Sequence, residues 1–209
     1  MGRFENSVLL AVDVQNDFCP GGALAVPHGD EIFPAINRLS PHFPIVVATK
    51  DWHPEGHVSF ASRHDQEPGS TIRVDDLDQV LWPDHCIPQT RGAEFHPNFD
   101  TASVNLILHK GTKKDLDSYS AFLENDKETP TGLRYYLEGH GIRNVYLVGL
   151  AKDVCVFSSA MDAHELGFQI YLVTDGTRGV DVPEGSLKKA EDTMRDAGIT
   201  FVTSEQLLS

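Results

Sequence analysis

This sequence predicts an α/β fold: a three-layer α/β/α sandwich around a six-stranded, mainly parallel sheet. Three observations lead there. Six short runs are apolar and rich in β-branched residues, as strands buried on both faces should be. Stretches with the 3.6-residue apolar period of a helix lie between most of them. Finally, 209 residues with 40% hydrophobic and 23% charged content form one soluble domain, 1–209. A chain of that length can bury about 70% of its unfolded surface. Strands separated by helices imply right-handed crossovers and a parallel sheet covered on both sides.

The first strand is Ser7-Val8-Leu9-Leu10-Ala11-Val12, and Asp13 follows it directly. Residues 30–39 read as a helix capped by Asp30, in which Pro34 fits only near the first turn. Residues 45–49 and 105–109 make the second and third strands, the latter followed by Lys110-Gly111. A helix over 131–138 leads into the fourth strand, 144–148. From Val154, helical spacing puts Phe157, Ala160, Met161 and His164 on one face, with Gly167 as the stop. A strand over 169–174, a helix over 184–197 and a strand over 199–202 complete the alternation. Residues 51–103 show no regular element but many Pro, His and Asp residues. So long an interval inside a compact domain is expected to be functional.

A formal charge of −14 argues against nucleic acid or anionic membranes as partners and leaves a small neutral substrate unhindered. Three cysteines without framework spacing point to a reducing compartment. There is no signal-peptide core and no apolar stretch of membrane-spanning length. Gly2 lacks the Ser/Thr that myristoylation needs, since Asn6 stands there. A cytoplasmic location is expected, and a homo-oligomer is left open.

In a parallel sheet the carboxyl ends of the strands open on one edge, where ligands bind. Asp13, Lys110 and Cys155, each at or just past such an end, can therefore converge. Cys155 falls in the first turn of a helix, whose free N–H groups and positive end favour a thiolate and can hold an oxyanion. A carboxylate to take the thiol proton, a cation and a nucleophile make a catalytic set. In Asp51-Trp52-His53 an extended backbone projects Asp51 and His53 to one side. Trp82-Pro83-Asp84-His85-Cys86 offers a third ligand in His85, and His57 a further candidate. One carboxylate and two imidazoles suit a zinc site with open positions, or the iron of an oxygenase. The oxygenase alternative leaves Asp13, Lys110 and Cys155 without a role.

Six motifs together resemble the nicotinamidases (pyrazinamidases) of the isochorismatase-like hydrolase superfamily. They are Ala11-Val12-Asp13-Val14-Gln15-Asn16-Asp17-Phe18, Lys50-Asp51-Trp52-His53-Pro54, Trp82-Pro83-Asp84-His85-Cys86, His109-Lys110-Gly111, Tyr119-Ser120-Ala121-Phe122 and Gly149-Leu150-Ala151-Lys152-Asp153-Val154-Cys155-Val156. The resemblance implies the isochorismatase-like fold, with Cys155 as nucleophile, Asp13 as general base and Lys110 as their charged partner. It implies one divalent ion per chain on Asp51, His53 and His85. Zn²⁺ is the first choice, with Fe²⁺ or Mn²⁺ as alternatives, and the ion takes the pyridine nitrogen of nicotinamide. Phe18 and Trp82 match aromatics that sandwich the ring, and Tyr119 another pocket residue. A cis bond before Ala151 is implied, with the Ala151 and Cys155 N–H groups forming the oxyanion hole. Lys152 and Val154 depart from the Thr and aromatic residue common in the family. The implied reaction turns nicotinamide into nicotinate and ammonia in NAD salvage, with pyrazinamide as a further substrate. Rival readings are a sister amidase for carbamoyl or ureido substrates, which does not need the metal ligands, and a non-catalytic interaction domain.

Overall fold

A computed structural model describes residues 3–209; Met1 and Gly2, read above as no acylation site, lie outside them. Eight strands follow in chain order: β1 (Ser7–Val12), β2 (Ile45–Asp51), β3 (Thr71–Val74), β4 (Leu77–Val80), β5 (Leu106–Lys110), β6 (Asn144–Gly149), β7 (Gln169–Thr177) and β8 (Thr200–Val202). Five α-helices accompany them: α1 (Phe33–Leu39), α2 (Leu133–Gly139), α3 (Cys155–Glu165), α4 (Ser186–Asp196) and α5 (Ser204–Leu208). The main sheet has six strands in the order β5-β2-β1-β6-β7-β8, and every neighbouring pair in it is parallel.

The period of two along β1 separates the two cores. Leu9 and Ala11 face a layer containing Phe33, Ile36 and Leu39 of α1 and Leu207 of α5. Val8, Leu10 and Val12 face the other, with Leu133 and Leu137 of α2, Val156, Ala160 and Ala163 of α3, and Met194 of α4. All six β1 residues are buried, and each large apolar side chain removed from water in this way stabilises the fold by about 1.5–3 kcal/mol. Three layers result, as the alternation predicts.

Several local expectations are corrected. Asp30 does not cap a helix. Gly29–Ile32 forms a 3₁₀ turn and α1 opens at Phe33 with Pro34 in its first turn. The buried face of α3 is Cys155, Val156, Ser159, Ala160, Asp162 and Ala163 rather than the Phe157–His164 face. Small residues let that helix lie close on the sheet, leaving Phe157 and Met161 at the rim and His164 exposed. Residues 51–103 are not without regular structure, because β3 and β4 form a hairpin whose two-residue turn places Asp75 at φ +48°. Helix α5 is additional. It opens on a capping box in which Thr203 and Gln206 satisfy each other's backbone N–H groups. No helix of the described residues is long and apolar enough to cross a membrane.

Candidate active site

Four strand ends build the site. Asp13, just past β1, sits at φ +50°, a left-handed conformation that Asp tolerates better than most residues. Thr49 of β2 holds it there: the Asp13 N–H donates to Thr49 Oγ1 at 3.1 Å, and the Thr49 hydroxyl donates to Asp13 Oδ1 at 2.6 Å. Asp51 and Lys110 end β2 and β5 side by side in register. β6 ends at Gly149, φ +110°, where a Cβ would lie 2.0 Å from the Val12 carbonyl oxygen, so only glycine lets it close on β1. The Leu150–Ala151 peptide is cis. Val154 then caps α3, and Cys155 is its first residue.

Lys110 ties these groups together. Its buried Nζ lies 2.8 Å from Asp13 Oδ2, donates to Asp51 Oδ1 and to the Ser118 carbonyl at 3.0 Å, and stands 3.6 Å from Cys155 Sγ. Carboxylate oxygens of Asp13 and Asp51 and the Cys155 sulfur lie within 4.8 Å of one another. Burial pushes the Asp13 carboxyl up to about 6 against the pull of Lys110, with the Asp51 charge adding to the rise. Burial also works against charge on Asp51, but Lys110 and His53 outweigh it and hold that carboxyl well below the usual range. The two carboxylates in turn raise Lys110, overcoming its own desolvation. Burial drives the Cys155 thiol well up. Lys110 opposes the rise, and Asp13 and Asp51 reinforce it. At the Cys155 sulfur the helix end and one ammonium therefore do not outweigh burial beside two carboxylates, in keeping with a thiol whose proton a carboxylate must take. The N–H groups of Ala151 and Cys155 donate to no backbone acceptor among the described residues.

The proposed metal ligands also meet. His53 Nδ1 is 3.0 Å from the Gly111 carbonyl oxygen and His85 Nδ1 is 2.7 Å from that of Pro83. A carbonyl can only accept, so both Nδ1 atoms carry the proton and both Nε2 lone pairs are free to ligate, the arrangement that orients metal-binding histidines. Those Nε2 atoms lie 3.5 and 3.8 Å from Asp51 Oδ2. Ligands about 2.1 Å from one tetrahedral Zn²⁺ stand about 3.4 Å apart, so the donor set fits a divalent ion with little closure. Charge agrees: two buried carboxylates face one ammonium, and a cation held here would offset the remainder. Burial lowers the His53 pKa, but Asp51 outweighs it and holds that imidazole above its ordinary value, so a proton competes for the same place. His57 groups with His53 and Asp117 instead of with Asp51 and His85. Its ring stacks on His53 at 4.1 Å, and its Nδ1 accepts the Ser59 N–H at 3.3 Å. Burial and then His53 lower its pKa to about 4.

Phe18, Trp82 and Tyr119 line one pocket with Ala151, Cys155 and the three metal-ligand candidates. The Trp82 indole N–H donates to the Tyr119 hydroxyl at 3.1 Å, joining two of these walls. Phe18 meets His85 edge-on at 5.6 Å. Leu24, Val26, Val154 and Val180 add an apolar wall that sequence reasoning missed. The turn Pro20-Gly21-Gly22 was the available signal: past it the chain folds back, and the Val26 N–H donates to the Phe18 carbonyl at 3.1 Å. Asp117, Thr49 and Gln15, all buried beside the site, were likewise missed.

The family model described as "Isochorismatase domain" matches residues 7–206. The chain is 44% identical over 209 residues to a nicotinamidase of Acinetobacter baylyi, covering 100% of this chain and 97% of that protein. It is similar to the solved structure of an Acinetobacter baumanii nicotinamidase/pyrazinamidase, with TM-score 0.94, 48% identity and coverage of 97% and 98% of the two chains. It is also similar to a Pyrococcus horikoshii pyrazinamidase solved in complex with zinc, with TM-score 0.78, 35% identity and coverage of 95% and 99%.

Proposed function

The chain belongs to the isochorismatase-domain family, and from that premise we propose how it hydrolyses nicotinamide to nicotinate and ammonia in NAD salvage. The observation that carries the reading is the position of Lys110 Nζ. It touches the base candidate Asp13 and the ligand candidate Asp51, and it lies 3.6 Å from the Cys155 sulfur. Asp13 takes the Cys155 proton as sulfur attacks the carboxamide carbon. The developing oxyanion is met by the Ala151 and Cys155 N–H groups. Asp13 returns the proton to nitrogen, ammonia leaves, and a thioester remains on Cys155. Water, deprotonated by Asp13, then cleaves the thioester to the carboxylic acid and restores the thiol.

Asp51, His53 and His85 would hold the divalent ion, with Zn²⁺ favoured by the imidazole-rich set and by the zinc-bound relative. When bound, the ion supplies a Lewis-acid anchor for the pyridine nitrogen. Phe18 and Trp82 offer ring faces for stacking, and Tyr119 fixes Trp82, so a small neutral amide is oriented by contacts away from its reacting carbon. A diazine carboxamide such as pyrazinamide presents the same two handles. Three unpaired cysteines fit a cytoplasmic setting. The test is ammonia release from nicotinamide. Cys155→Ala and Asp13→Asn are each expected to lower turnover at least about a hundredfold. Near-normal turnover by a folded Cys155→Ala protein would remove the covalent route.

A further inference from the structure

Gln15 lies two residues beyond Asp13, where the chain has left β1, and its side chain is fully buried. Its Oε1 accepts the Asp51 N–H at 2.8 Å. Its Nε2 donates to the Asp51 carbonyl at 2.8 Å and to the Ala93 carbonyl at 3.1 Å. The β1–β2 ladder runs from Val8↔Ile45 to Ala11↔Ala48 and stops short of Asp51. On its other side Asp51 pairs with Lys110 of β5. The Gln15 carboxamide thus stands where a neighbouring peptide group would stand, extending the sheet to the one residue that serves two masters. Asp51 Oδ1 receives Lys110, while Oδ2 points at the Nε2 atoms of His53 and His85. Backbone orientation at Asp51 decides which oxygen meets which partner. Only a primary carboxamide of this length both donates to the Asp51 carbonyl and accepts from its N–H.

We propose that Gln15 is a positioning residue: it aims the Asp51 carboxylate so that one oxygen serves the metal ion and the other Lys110, joining the metal site to the Asp13–Cys155 pair. The inference rests on the metal-assisted amide hydrolysis described above. Gln15 touches neither ion nor substrate, and it acts through Asp51.

The test uses the full chain, zinc as the probe, and Gln15→Met, which keeps length and apolar volume but neither donates to nor accepts from the Asp51 backbone. Zinc affinity is measured by competition with a chromophoric chelator, thermal midpoint on the metal-free protein, and kcat and KM for nicotinamide at saturating zinc. Ser40→Ala is the control, since it removes a buried hydroxyl that donates to the Ile36 carbonyl at 2.8 Å, remote from the pocket. Gln15→Met is expected to weaken zinc binding at least about tenfold, as loss of a group orienting a ligand does, and to shift the visible absorption of the Co²⁺-loaded protein. With zinc saturating, kcat should fall more than KM rises. Ser40→Ala should lower the midpoint and leave zinc affinity alone. If Gln15→Met does not fold, Gln15→Asn, which keeps the amide one methylene short, is read in the same way. Unchanged zinc affinity and kcat in a folded Gln15 variant overturns this inference alone. A wild-type protein that holds no zinc overturns it together with the metal reading.

Discussion

Lys110 has three protons and four neighbours, and it is buried among them. Replacing it by Met would leave the Asp13 and Asp51 carboxylates facing each other without a counter-charge. Removing one partner from such a buried cluster costs about 3–5 kcal/mol, so Lys110→Met should lose that much stability at neutral pH, measured by urea denaturation. The sign with pH follows from Asp13. Its folded value of about 6 lies above the ordinary carboxyl value of 3.8, so its contribution to stability is complete below 3.8 and is lost as pH rises through about 6. Without Lys110 that folded value rises further, and the deficit of the variant should shrink as pH is lowered toward 5. A Lys110→Met protein as stable as wild type at pH 7 would contradict this account. In the proposed mechanism the same carboxyl governs activity. Protonated Asp13 cannot take the thiol proton, so kcat/KM should fall as pH drops through about 6. A profile flat down to pH 4.5 would exclude Asp13 as the base.

At the scale of elements, strand ends decide where chemistry can occur, and the same fact decides what was legible in the sequence. The strands of the main sheet were readable because β1, β2, β6 and β7 each hold at least four consecutive apolar residues and β5 holds three, a signal that needs no partner to interpret. Asp13, Lys110 and Cys155 were readable because each ends or follows such a run. The β3–β4 hairpin was not, since each of its strands has four residues and all but one of the eight are exposed or only half-buried, which leaves little apolar pattern. The face of α3 was misread because its inner residues are small and its large ones stay at the rim. Gln15 and Thr49 escaped notice because their work is done across 36 residues of sequence, on partners that only the topology reveals. Gly111, just past β5, illustrates how closely an element end can be fitted. Its φ is +62°, and a Cβ there would lie 2.3 Å from His53 Cε1 and 2.6 Å from Nδ1, while its own carbonyl orients that ring. Gly111→Ala should therefore displace His53. Zinc affinity is expected to fall at least about tenfold and stability by more than about 1 kcal/mol. A competition titration matching wild type would show that the ring position does not matter to the ion.

Over the whole molecule, the charge of −14 leaves a neutral amide free to enter and disfavours retention of an anionic acid product. Recognition must then come from inside the pocket, whose lining is mostly apolar apart from the Asp51–His53–His85 triangle and Asp117. If the ion anchors the ring nitrogen, affinity and orientation depend on the metal even though the bond broken is on the amide. Chelation should abolish nicotinamide hydrolysis, and adding back Zn²⁺ should restore it. Benzamide, which has the same ring face and amide but no ring nitrogen, should be a far poorer substrate of the zinc-loaded protein. The two results discriminate between roles. Were the ion only a brace for the fold, chelation would lower activity on both amides alike and benzamide would be hydrolysed well beforehand. Acid should release the ion as well, because His53, held above its ordinary value chiefly by Asp51, binds a proton in the metal's place as pH falls. A verified metal-free sample that hydrolyses nicotinamide at the full rate would remove the ion from the reaction and leave Asp13, Lys110 and Cys155 as those of a metal-independent amidase.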